Sequence, residues 1–149
     1  MGLKGIEVRP AKSRDSDQMW PLVQDFAFSY EPERSSFERS FAELLERPDT
    51  LFLVAEENGT TIVGYLLASY HGTFLANGPV AWIEEVMVAE SARHQGVGSC
   101  LMSAAEAWAK SVPTAYVALA SRRAGEFYLK IGYEDWAVFL RKTFVSPRV

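Results

Sequence analysis

Cysteine and histidine are nearly missing: 149 residues hold one cysteine, Cys100, and two histidines, His71 and His94. A single cysteine forms no intrachain disulfide, which fits a reducing compartment. Three scattered ligand-type residues give no metal-site spacing, and no histidine lies close enough in sequence to mark Cys100 as an activated nucleophile. Basic charge is also in short supply. Fifteen Lys and Arg stand against nineteen Asp and Glu, a formal charge of −4. Nonspecific nucleic-acid binding leans on a basic surface, so that class drops out, whereas a cationic small molecule would meet a favourable field. No apolar run approaches the roughly 20 residues of a membrane span. The start, MGLKGIEVRP, interrupts its apolar residues with Lys4, Glu7 and Arg9 and does not read as a signal peptide. Ile6 also breaks the myristoylation pattern after Gly2. The expectation is a soluble cytoplasmic protein with no membrane or nucleic-acid partner and no bound metal.

What is present is ordinary core-forming material, 48% hydrophobic and 23% charged, enough for a single domain over residues 1–149. Repeats, low-complexity segments and linkers are absent. Ile6–Pro10 reads as a first strand, with Ser16 or Asp17 able to cap a helix carrying Met19, Leu22, Val23 and Phe26. Phe37–Glu46 reads as a second helix, stopped by Pro48. Leu51–Glu56 and Thr61–Tyr70 are apolar, β-branched runs joined through Asn58-Gly59, a strong hairpin signal. Val80–Val88 is the next strand, and Val97, Leu101, Ala104 and Trp108 mark a helix stripe. A strand at Tyr116–Leu119, a helix at Ala124–Ile131 ended by Gly132, and a last strand at Trp136–Phe144 complete the order. The pattern β-α-α-β-β-β-α-β-α-β-β predicts an α/β (α+β) fold: a mixed, mostly antiparallel sheet of about seven strands with four helices on its faces.

The most informative run is VAESARHQGVGS, residues 88–99. It leaves an apolar strand and opens an apolar-striped helix, with Arg93, Gly96 and Gly98 in the spacing R-x-x-G-x-G. The first N–H groups of a helix lack intrahelical partners, and the helix dipole adds positive charge there. Glycine permits positive φ and lets a ligand touch bare backbone. Strand, glycine loop and helix start together form an anion site.

That element order, with R-x-x-G-x-G after the fourth strand, resembles the GNAT superfamily of acyl-CoA-dependent N-acetyltransferases. Glu126-Phe127-Tyr128-Leu129-Lys130-Ile131-Gly132-Tyr133 is similar to the family's F-Y-x-x-x-G-F/Y segment, and Ile83-Glu84-Glu85-Val86-Met87-Val88 to the I/L-E-D-x-x-V strand of small-molecule N-acetyltransferases. The resemblance covers nearly the whole chain. It implies acetyl-CoA as co-substrate, its pyrophosphate on the N–H groups of His94, Gln95, Gly96, Val97, Gly98 and Ser99, with Arg93 fixing the loop or facing the phosphates. It implies that Val86, Met87 and Val88 offer backbone groups to the pantetheine arm where two strands splay apart. Many relatives carry Asn seven residues before the tyrosine; here Ser121 holds that cofactor position with a shorter side chain.

Glu84 and Glu85 stand side by side in an apolar strand. Simple alternation would send them to opposite faces, and burying an ionised carboxylate costs several kcal/mol unless it is paired. A base is also needed, because an alkylammonium with a pKa near 10 cannot attack a thioester while protonated. Glu84 matches the family's base position, and Glu85 would contact the substrate amine or support the sheet. Tyr128 matches the residue that protonates, or hydrogen-bonds to, the departing thiolate. Phe28, Tyr30 and Glu31 lie where the family's acceptor site falls. The expected acceptor is a small cationic primary amine, with a homodimer as a further expectation from the family. The competing readings are a silent acyl-CoA sensor or subunit, and a protein or peptide N-acetyltransferase. A Rossmann-type nucleotide binder is disfavoured because no G-x-G-x-x-G follows the first strand.

Overall fold

The computed structural model describes residues 3–27 and 30–145. Among these, five strands and four helices appear in the order β1 (Ile6–Pro10), α1 (Ser16–Phe26), α2 (Arg34–Glu46), β2 (Thr50–Glu57), β3 (Thr61–Thr73), β4 (Gly78–Val88), α3 (Val97–Ser111), β5 (Val117–Leu119) and α4 (Gly125–Lys130), with single 3₁₀ turns before α1 and α3. The strands lie in one sheet in chain order. β1 to β4 are antiparallel neighbours, and β5 joins β4 in parallel after the α3 crossover. The β2–β3 turn bears out its sequence signal: Asn58 and Gly59 both take positive φ, 52° and 71°, as a turn matched to the twist of a hairpin requires.

Alternating side chains divide the core into two layers. Leu53, Ala55, Val63, Leu66 and Ile83 meet Val97, Leu101, Met102 and Ala105 of α3 on one face. On the other, Val54, Ile62, Tyr65 and Met87 meet Met19 and Leu22 of α1 and Phe41 of α2. Leu66 and Leu101 have no exposure at all, and burying such a side chain is worth roughly 1.5–3 kcal/mol. Gly64 lets β3 and α3 approach: a β-carbon there would lie 3.0 Å from the Met87 carbonyl and 3.4 Å from Val97 and Leu101. This closeness seats the start of α3 over the end of β4.

The sheet has five strands rather than about seven. The expected strand Trp136–Phe144 forms no ladder among the described residues. β-propensity needs a partner edge to act on, and β5, the edge strand that precedes this segment in the chain, is three residues long. Trp136, Val138, Leu140 and Phe144 stay 83–90% exposed.

Candidate active site

The site grows from the carboxyl end of β4. β5 pairs with β4 only through Ala81, Trp82 and Ile83, and its ladder stops at Leu119. β4 itself continues to Val88, held on its other side by β3 through Gly64. On the β5 side, Val86, Met87 and Val88 therefore have no ladder partner. Beyond Val88 the chain turns through a 3₁₀ segment, Glu90–Ala92, into the glycine loop.

Loop geometry follows from two left-handed residues, His94 at φ +63° and Gly96 at φ +87°. Gly96 is the N-cap of α3, and no side chain caps the helix there. No acidic residue lies in its first turn. The N–H groups of Val97, Gly98 and Ser99 thus have neither an intrahelical acceptor nor a capping oxygen, and the dipole end carries no side-chain counter-charge. Arg93 turns back instead of outward: its Nε donates to the Val88 carbonyl at 3.1 Å, pinning the loop to the end of β4. Gly98 serves packing, since a β-carbon there would come within 3.3 Å of the Phe127 ring. The two sequence motifs therefore touch each other.

The adjacent glutamates are separated by a bulge. Register runs from Ala68↔Ile83 to Leu67↔Glu85, leaving Glu84 as the extra residue. An extra residue resets alternation. Val86 and Val88 then face the α3 layer and Met87 the α1–α2 layer, while Glu85 reaches the hydroxyl of Tyr65, a member of the α1–α2 layer. Tyr65 donates to Glu85 Oε1 at 2.7 Å, and Tyr65 is only 2% exposed. Burial raises the Glu85 pKa above the ordinary carboxylate range; the Tyr65 hydrogen bond pulls the other way and the Glu84 charge adds to the rise. Burial, then the Glu85 charge and its hydrogen bond, drive the Tyr65 pKa far up, so Tyr65 stays a protonated donor. Glu84 is solvent-exposed.

Tyr128 lies on α4, half-buried, between the rings of Phe127 at 5.0 Å and Tyr133 at 5.9 Å. Burial raises its pKa. Tyr133 in turn donates to Glu106 at 2.8 Å, tying α4 to α3. Ser121 accepts the Ala124 N–H at 3.1 Å and so shapes the turn into α4. Tyr30 donates to the Val145 carbonyl at 3.1 Å; Glu31 is exposed; Phe28 falls outside the described residues. Arg123 donates to the Phe26 carbonyl at 3.1 Å, bringing the β5–α4 loop to the end of α1.

Sequence reasoning missed Tyr65. A tyrosine in an apolar strand gives little signal, and its meeting with Glu85 depends on the bulge. No group of three or more potential metal ligands occurs among the described residues, and none of their helices is long and apolar enough to cross a membrane. A groove lined by Ser40, Glu43, Arg47, Asp49, Tyr70 and His71 sits at the opposite end of β4 from the glycine loop, since His71 pairs with Val80.

A stretch of β4 without a β5 partner, an uncapped glycine-led helix and a tyrosine-bearing helix thus lie together at one end of the sheet. The family model for the acetyltransferase (GNAT) family matches residues 17–133, and the chain belongs to that family. No curated protein sequence matches. Among solved structures the chain is similar to a transcriptional regulator from Bacillus halodurans C-125, at 28% identity and TM-score 0.84, covering 93% of this chain and 99% of the other. It is similar in fold to glucosamine-6-phosphate N-acetyltransferase from Arabidopsis thaliana, at 22% identity and TM-score 0.82, over 94% and 99% of the two chains. It is also similar in fold to aminoglycoside N-acetyltransferase AAC(6')-Iy in complex with CoA, at 18% identity and TM-score 0.78, over 92% and 94%.

Proposed function

We propose that this acetyltransferase moves an acetyl group from acetyl-CoA to the primary amine of a small cationic molecule by direct attack. The observation that carries the reading is the conjunction at the end of β4: an uncapped α3 start with two left-handed loop residues, beside a stretch of β4 that β5 does not pair. The loop amides from His94 to Ser99 suit a diphosphate, each charge-assisted bond being worth about 1.5–3 kcal/mol. The open side of Val86–Val88 suits an amide-bearing arm, and one N–H there would polarise the thioester carbonyl.

The reaction needs two protons to leave the amine nitrogen. The first must go before attack; the nitrogen then bonds to the thioester carbon, the C–S bond breaks, and one proton ends on the CoA sulfur. The base works best with a pKa lifted toward neutrality, and that condition favours Glu85 in the role that the resemblance gives Glu84. Tyr65 holds Oε1 of Glu85, so Oε2 is the oxygen that takes the proton, directly or through water. Exposed Glu84 then draws the cationic amine to the bulge. Acidic overall charge supports a cationic acceptor in the same way.

The test is thiol release from acetyl-CoA across a panel of polyamines, aminoglycosides, amino acids and peptides. A turned-over cationic amine is expected, with an acid limb of kcat/KM above the ordinary glutamate range. Glu85→Gln should lower kcat about 10²–10⁴-fold and erase that limb, whereas Glu84→Gln should mainly raise KM. CoA binding without turnover on any amine would instead favour a silent sensor, and a loss of the limb in Glu84→Gln alone would return the base to Glu84.

A further inference from the structure

The helix that carries Tyr128 is short, and none of its residues is fully buried. A helix of six residues does not hold its shape alone, so its neighbours must fix it. Its end is a Schellman motif. Gly132 takes the left-handed C′ position at φ +101°. The Tyr133 N–H donates to the Tyr128 carbonyl at 3.0 Å, and the Gly132 N–H to the Leu129 carbonyl at 3.2 Å. Such a motif brings together the side chains at the positions that Tyr128 and Tyr133 hold, and their rings stand 5.9 Å apart. The Tyr133 ring is in turn tied to α3, its hydroxyl donating to Glu106 Oε2 at 2.8 Å. On the other side of Tyr128, the Phe127 ring lies over Gly98. α4 therefore meets α3 twice, at Gly98 and at Glu106. Those points are about 12 Å apart along the helix axis, and Tyr128 stands between the two anchors.

Apolar contact alone would hold the Tyr133 ring loosely. A hydroxyl–carboxylate bond is short and directional, so it also fixes where the ring sits. We propose that Tyr133 and Glu106 are positioning residues, which together set the place of the Tyr128 hydroxyl relative to the helix that begins with the glycine loop. The proposal rests on the acyl transfer described above, in which that hydroxyl meets the developing thiolate. One rigid helix then serves as reference for both the diphosphate end and the thiol end of the cofactor. A misplacement of about 1 Å at a reacting group is enough to slow a reaction about 10²-fold.

Steady-state thiol release from acetyl-CoA with a turned-over cationic amine, beside calorimetry with CoA, tests it. Tyr133→Phe keeps the ring and removes the anchor. It should lower kcat about tenfold, with the Kd for CoA within about twofold of wild type. In a Tyr128→Phe background the same change should slow turnover no further, because the hydroxyl that it places is gone. From the other side of the bond, Glu106→Leu should match Tyr133→Phe. Glu106→Gln keeps an acceptor oxygen and should keep kcat near wild type. A purely structural contact would lower Tm and leave kcat alone, or give losses that multiply with Tyr128→Phe. Either result would overturn the proposal, as would weaker CoA binding in place of slower turnover, or a Glu106→Gln as damaging as Glu106→Leu. In all these cases Tyr128→Phe still shows its own loss, and the thiolate reading stands. A wild-type kcat in Tyr128→Phe would instead overturn that reading and this proposal with it. If no amine is turned over, hydrogen exchange decides. The Gly132 and Tyr133 amides should exchange about tenfold faster in Tyr133→Phe and in Glu106→Leu, and unchanged rates would overturn the anchor.

Discussion

Tyr128 keeps its proton. An ordinary tyrosine titrates near 10 and a thiol near 8.5, so donating a full proton to CoA thiolate runs uphill by about 2 kcal/mol. Burial raises the Tyr128 pKa and widens that gap. Its role in the proposed reaction is therefore a hydrogen bond to the developing thiolate. Tyr128→Phe removes only the hydroxyl, and its ring contacts with Phe127 and Tyr133 survive. The variant should melt like wild type while kcat falls roughly 10–1000-fold, with the KM for acetyl-CoA little changed. Steady-state thiol release beside a thermal melt reads both. A wild-type kcat would remove the hydroxyl from the chemistry.

At the scale of elements, the two glycines of the loop do different jobs. Gly96 sits at φ +87° with the Leu3 side chain 3.4 Å from where a β-carbon would stand. Alanine there is strained by about 1–2 kcal/mol. Gly98 has no such φ, but its β-carbon would press on Phe127, next to Tyr128. Gly96→Ala should weaken CoA binding about tenfold by calorimetry, the equivalent of roughly 1.4 kcal/mol. Gly98→Ala should leave affinity nearer wild type and lower kcat through a displaced α4. The reverse ordering would mean that the loop shape does not set the diphosphate site. Local signals made these elements legible. Asn58-Gly59 set its own turn, and the apolar stripe from Val97 to Trp108 placed the start of α3 at Val97 and fell three residues short of its end at Ser111. What stayed hidden depends on neighbours. The bulge at Glu84 exists only in the register with β3, so alternation alone misassigned the glutamates' surroundings and gave no reason to look at Tyr65. Trp136–Phe144 has strand composition, yet a strand needs an edge that composition does not reveal.

For the molecule as a whole, the buried Asp15 and the part-buried Glu85 pull its acid stability in opposite directions. Arg9 on β1 grips Asp15 with two bonds, 2.8 and 2.9 Å, and reaches Glu56 on β2 at 3.1 Å. The Lys12 N–H adds a bond to Asp15 at 2.7 Å. Burial alone would raise the Asp15 pKa, but Arg9 and the Lys12 N–H outweigh it and the net shift is downward. A carboxylate whose folded pKa is depressed contributes stability above its unfolded pKa, and that contribution is lost as pH falls through the folded value. Glu85 has the opposite sign: its raised pKa costs stability at neutral pH, and the cost fades as acid protonates it. Asp15→Asn should therefore lose about 2 kcal/mol at pH 7, from charge-assisted bonds of about 1.5–3 kcal/mol, which lowers Tm by roughly 4–8 °C in a domain of this size. Its deficit against wild type should shrink steadily below the ordinary aspartate range. Glu85→Gln should be at least as stable as wild type at pH 7, because Tyr65 still finds an acceptor, and its advantage should vanish in acid. Thermal melts of the three proteins between pH 3 and 7 separate the effects. A pH-independent deficit in Asp15→Asn would show that Asp15 packs rather than pairs, and a Glu85→Gln variant less stable at neutral pH would mean that the Tyr65–Glu85 contact holds the sheet together instead of storing a strained base.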